Sequence, residues 1–147
     1  MMDDYIKRWL IKAMEDFNVA RHELNLSDDE IATGAVCFHC QQFVEKLLKM
    51  YLIYKKIDFG KTHDLKFLAD LCSQQDSDFK RLNVGNLTSY AVEVRYPDEF
   101  FIPTVSEARE CFKIASIARD FIFDKLEIKE GLEIKEGLEK KRREKRG

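Results

Sequence analysis

The two prolines of this chain, Pro97 and Pro103, bracket one short segment late in the sequence. Proline fixes φ and removes a backbone donor, so it interrupts helices wherever it falls. With only two prolines and six glycines in 147 residues, a turn-rich β architecture has little to build its corners from. Long helix-forming segments fit the composition instead. Apolar residues make up 45% and charged residues 35%, a globular balance rather than a disordered one. A chain of this length is one domain and buries roughly two-thirds of the surface its unfolded form exposes.

Apolar periodicity then places the helices. Trp9, Ala13, Phe17, Ala20 and Leu24 recur at helical spacing, predicting a first helix from Asp4 to about Leu24 with Asp3 or Asp4 as its cap. Residues 25–29 break that pattern. A second helix is predicted from about Glu30 to Ile57, where Val36, Phe43, Leu47, Met50 and Tyr54 line one face and Val44, Leu48 and Tyr51 widen it. So broad an apolar band suits a helix central to a bundle or used in an interface. Gly60 is placed at its end and Thr62 at the cap of a third helix burying Leu65, Leu68 and Leu71. A short helix is expected around Phe79 and Leu82, and a fourth long one from about Val84 to Arg95. Thr104-Val105-Ser106-Glu107 reads as a capping box opening a last helix through Ala108, Cys111, Ala115, Ala118 and Ile122. The fold class is all-α: an up-and-down bundle of four to five antiparallel helices over residues 1–126.

The remainder, residues 127–147, is a low-complexity charged tail. Leu126-Glu127-Ile128-Lys129-Glu130-Gly131 recurs as residues 132–137. Its six-residue period matches neither the helical turn nor the heptad, so it is read as frayed or disordered. Net charge is −2 overall, which provides no global basic field for nucleic acid. The basic residues concentrate in the tail, chiefly Lys140 to Arg143. No apolar run reaches the roughly 18 residues of a membrane span. A cytoplasmic setting with free thiols is the expectation for the four cysteines.

Few groups can carry chemistry. Gln42, Glu45, Lys46 and Lys49 share one face of the second helix, with Gln41 one turn from Glu45. They form either a solvated face or a polar stripe with a use. Thr62-His63-Asp64-Leu65 is a helix start, with His63 an acid–base candidate or a surface residue. Cys37-Phe38-His39-Cys40 lacks the further ligands zinc requires, and redox Cys-x-x-Cys pairs open a helix rather than lie within one. These cysteines are read as buried apolar residues. Pro97 ends a helix at Arg95-Tyr96-Pro97-Asp98. Arg95 there either complements the helix dipole or presents a guanidinium to a phosphate, with Tyr96 as a stacking surface. No glycine-rich phosphate loop, Ser-His-Asp set or metal triad is visible.

Three motifs in order carry a resemblance. Cys40-Gln41-Gln42-Phe43-Val44-Glu45-Lys46-Leu47-Leu48-Lys49, then Thr62-His63-Asp64-Leu65, then Arg95-Tyr96-Pro97-Asp98 resemble the HEPN (higher eukaryotes and prokaryotes nucleotide-binding) domain family, in its small stand-alone prokaryotic form. The resemblance covers about residues 5–126. It implies a helical bundle that forms a homodimer with a groove near the two-fold axis. Many members are metal-independent ribonucleases, often toxins paired with a minimal nucleotidyltransferase antitoxin. Their site is an arginine, a polar residue, and a histidine four to six positions on. Arg95 matches the arginine, Tyr96 replaces the usual polar residue, and His63 is the last histidine of the chain.

The absent imidazole bears directly on chemistry. Metal-free RNA cleavage needs a base for the 2′-hydroxyl and an acid for the leaving oxygen, and arginine exchanges protons with neither. The expected function is therefore non-catalytic binding of a nucleotide or other polyphosphate by a homodimer, with Arg95, Tyr96, Gln42, Glu45, Lys46 and Lys49 in the groove. A minimal nucleotidyltransferase is the expected protein partner, with no cofactor or metal. One alternative is a ribonuclease with a degenerate site of His63, Arg95 and Asp98, for which RNA is the substrate. Another is a purely structural or adaptor dimer.

Overall fold

The computed structural model describes residues 3–91 and 101–129. They form four α-helices: α1 (Asp4–Leu24), α2 (Thr33–Tyr54), α3 (Leu65–Gln75) and α4 (Val105–Lys125). Two 3-10 turns, Ser77–Arg81 and Leu87–Tyr90, lie between α3 and α4. No strand is present among the described residues.

Local chemistry sets the helix ends. The Asp3 side chain accepts from the Ile6 amide at 2.9 Å and starts α1. The Thr104 hydroxyl accepts from the Glu107 amide at 3.0 Å, and the Glu107 carboxylate accepts from the Thr104 amide at 3.3 Å, the reciprocal capping box the sequence predicts. Asp64, not Thr62, caps α3 by accepting from the amides of Lys66 and Phe67. Thr62 instead accepts from the Asp64 amide at 3.1 Å. α2 also ends before Gly60. Lys56 takes a left-handed φ of 60°, and the Ile57 amide reaches back to the Leu52 carbonyl at 2.9 Å. Glu127 repeats this at the end of α4, with φ 53° and the Ile128 amide on the Phe123 carbonyl at 2.9 Å. Both helices thus close with a Schellman-type turn at a residue other than glycine.

The helix expected over Val84–Arg95 is not α-helical in its described part. Gly85, with φ 54°, makes a turn, and only the 3-10 segment Leu87–Tyr90 follows. A left-handed residue so early prevents the helix from nucleating. Arg95, Tyr96 and Asp98 lie outside the described residues, as does the tail beyond residue 129.

α2 is central. Phe43 meets Phe17 of α1 with ring centroids 4.8 Å apart, and Phe17 meets Phe112 of α4 at 4.9 Å. Tyr51 packs on Phe79 at 4.5 Å, and Phe79 on Phe121 at 4.9 Å. α1 and α2 run antiparallel, as their short connection requires. After α2 the chain returns along it through residues 55–64, so His63 lies beside Glu45 and Cys72 beside Leu48. α3 therefore advances in the direction of α2. α4 does the same, with Cys111 beside Cys37 and Phe121 reaching the Tyr51 end through Phe79. Lys125 fastens that end, 2.8 Å from Asp76 and also bonded to Asp78.

Two glycines separate backbone strain from crowding. Gly60 and Gly85 both have positive φ. A Cβ on Gly85 would sit 2.8 Å from Ile114 Cδ1, whereas one on Gly60 meets nothing within 4 Å. Gly60→Ala should cost roughly 1–2 kcal/mol from the left-handed backbone alone. Gly85→Ala should cost measurably more, read as a lower urea midpoint; equal midpoints would show that Ile114 moves aside freely.

Candidate functional site

The polar stripe of α2 turns inward and divides between two buried carboxylates. Glu45 is 5% exposed and Gln41 fully buried. The Gln41 amide nitrogen donates to Glu45 Oε1 at 3.0 Å, and Lys49 Nζ donates to Glu45 Oε2 at 3.1 Å. His63 Nδ1 stands 2.9 Å from Glu45 Oε1. Gln42 supports the arrangement from one side, its amide nitrogen 2.7 Å from Gln41 Oε1. The Lys49 ammonium also lies 5.5 Å from the centre of the Phe59 ring. Glu45 thus joins two turns of α2 to the loop that precedes α3.

The second cluster centres on Asp16 of α1, 8% exposed. His39 Nδ1 lies 2.7 Å from Asp16 Oδ1, and Lys46 Nζ donates to Asp16 Oδ2. Each carboxylate therefore holds one imidazole and one ammonium. Of the expected groove residues, Gln42, Glu45 and Lys49 come together with His63, while Lys46 belongs to the Asp16 cluster. Asp16 and His39 were not among the expected site residues. Their only signal is a carboxylate placed directly before the buried Phe17, and a histidine whose setting inside Cys-x-x-Cys directs attention to metal.

Electrostatics of Glu45 are a contest between opposing effects. Burial pushes its pKa up, but hydrogen bonds from Gln41, His63 and Lys49 favour the anion, and the net shift is downward. The cysteines behave differently. Cys37, Cys40, Cys72 and Cys111 are all buried free thiols. Desolvation raises Cys40, and pushes Cys72 up to about 12. Cys40 and Cys72 thus stay protonated and pack as small apolar groups, whereas the hydrogen bond from Cys37 lowers Cys111. No cluster of three or more His, Cys, Asp or Glu side chains suited to a metal occurs among the described residues.

This α2 network, the His63 turn before α3 and the four-helix frame all lie within one matched region. A model of the HEPN domain matches residues 6–128. The chain belongs to the HEPN family. No curated protein and no solved structure matches it. HEPN domains are nucleotide-binding or ribonuclease-like all-helical domains, and the fold of this HEPN protein agrees with that class. Among the described residues no helix is long and apolar enough to cross a membrane.

The depressed pKa of Glu45 gives a signed pH dependence. A carboxylate more acidic folded than unfolded contributes stability above its unfolded pKa and loses it as pH falls through the folded one. Glu45→Gln should be less stable than wild type by roughly 1–3 kcal/mol at neutral pH. That gap should close as pH drops below about 5. Urea unfolding of both proteins at several pH values measures it, and a gap constant down to acid pH would mean Glu45 carries no charge-dependent stability.

Proposed function

We propose that this HEPN protein acts as a non-catalytic homodimer that binds a nucleotide or other polyphosphate, with a minimal nucleotidyltransferase as its protein partner. The observation that carries the reading is the Glu45 network. It fixes the Lys49 ammonium and the His63 ring through hydrogen bonds, so little side-chain entropy remains to be lost when an anion binds beside them. Lys49 and His63 offset the buried anion, and His63 is 69% exposed at the surface. Arg95 would add a bidentate phosphate contact, with Tyr96 a stacking surface. Gln42 and Glu45 would act as positioning residues and Lys46 as a further cation of the groove.

Titrating ATP and GTP calorimetrically into wild type, Arg95→Ala and Lys49→Ala tests the site. Each variant should bind at least about tenfold more weakly, the scale of one lost charge-assisted hydrogen bond. Equal affinity in all three removes the proposed site.

The Glu45–His63 pair favours a second reading, a ribonuclease with a degenerate site. A carboxylate at Nδ1 orients the imidazole and leaves Nε2 to exchange a proton. His63 would then act with Arg95 and Asp98 on RNA in a toxin–antitoxin setting. Expression should arrest growth, His63→Ala should relieve the arrest, and RNA left intact by the purified protein would exclude this reading.

A further inference from the structure

α1 carries a second surface feature, whose α1 residues neither reading uses. Tyr5, Arg8, Trp9 and Lys12 lie on one face of the helix and, with Lys46 of α2, line a groove of about 280 Å³. Tyr5 is 55% exposed, while Trp9 is half-buried and packs against the core. The floor between them is apolar. The rim is cationic. Arg8 pairs with no carboxylate among the described residues. Lys12 reaches only Glu15, at 4.0 Å with both side chains more than half exposed, a geometry that neutralises little. Lys46 is held in place from beneath by Asp16.

An apolar floor inside a basic rim selects its occupant by chemistry. A nucleobase can stack on an aromatic floor, but its polar edges find no partner on this one, whereas an aliphatic side chain has no polar edge to satisfy. An aliphatic side chain between two carboxylates satisfies both parts. The stretch from Tyr5 to Lys12 rises about 10 Å along the helix, which an extended peptide covers in about three residues. The geometry points to a docking site for an extended acidic segment of a partner polypeptide, in which an aliphatic side chain and the carboxylates two residues to either side of it share one face. The aliphatic residue rests between Tyr5 and Trp9, and the flanking carboxylates meet Arg8 and Lys12. This surface shares only Lys46 with the proposed nucleotide groove, and its α1 contacts stand whether or not the Lys49–His63 site binds nucleotide.

Trp9 is the single tryptophan, so its emission reports on the groove directly. A blocked nonapeptide centred on Glu-Ser-Leu-Ser-Glu, titrated into the full chain at low salt, should shift that emission saturably. Arg8→Glu, at an exposed position without a carboxylate partner among the described residues, should weaken binding at least tenfold, and Lys12→Glu should act in the same direction. A peptide with Lys in place of Glu should leave the emission unchanged. Equal affinity in wild type and Arg8→Glu overturns the proposal. So does an emission shift produced by ATP or oligoadenylate RNA but not by the acidic peptide.

Discussion

The buried Glu45 carboxylate is the constraint around which the rest of the molecule is arranged. An ionised group 5% exposed is tolerable only with its oxygens satisfied. Satisfying them requires Gln41 and Lys49 one turn away on either side, and His63 from a different part of the chain. The His63 contact obliges residues 55–64 to run back along α2. That return decides where α3 starts and which way it points. Asp16 repeats the solution between α1 and α2 with His39 and Lys46. The core is partly aromatic, with Phe17 in contact with both Phe43 and Phe112.

The functional consequence is a division of labour among cations. Lys46 and Lys49 are committed to buried carboxylates, and their ammonium groups are fixed in position rather than free to sweep the surface. Arg8 and Lys12 on α1 are not so committed. The protein thus has positive groups held in place on α2 and loosely paired ones on α1.

How much of this was legible in the sequence depended on whether the controlling interaction was local. α1, α2 and α4 were readable because their apolar stripes, and for α1 and α4 also their caps, are encoded within a few residues. Asp3, and Thr104 with Glu107, cap where the residue types say they should. The Val84–Arg95 helix was not readable, because Gly85 takes a left-handed φ beside Ile114, where a Cβ would crowd, and apolar spacing carries neither fact. Gly60 attracted the end of α2 by composition, yet the turn closes at Lys56, whose left-handed backbone is held by the Ile57–Leu52 hydrogen bond. At the site, the shared face of Gln42, Glu45, Lys46 and Lys49 followed from helical spacing. That it turns inward, and splits between Asp16 and His63, depends on tertiary neighbours 18 to 30 positions away in sequence. No periodicity carries that information.

The co-directional course of α2, α3 and α4 has a kinetic meaning. Loop-closure entropy rises with the logarithm of the segment enclosed, and nearby contacts form sooner. α1 and α2 are joined by residues 25–32 alone, so their hairpin closes the shortest connection in the bundle and brings Asp16 to His39 and Lys46. The return through residues 55–64 then delivers His63 to Glu45. α4 must wait for the whole span from α3 to Thr104 to be laid down before it can pack beside α2. Loop-closure entropy therefore favours assembly from the amino-terminal hairpin outward, with α4, whose far end is fastened through Lys125 to Asp76 and Asp78, as the layer that closes the longest connection.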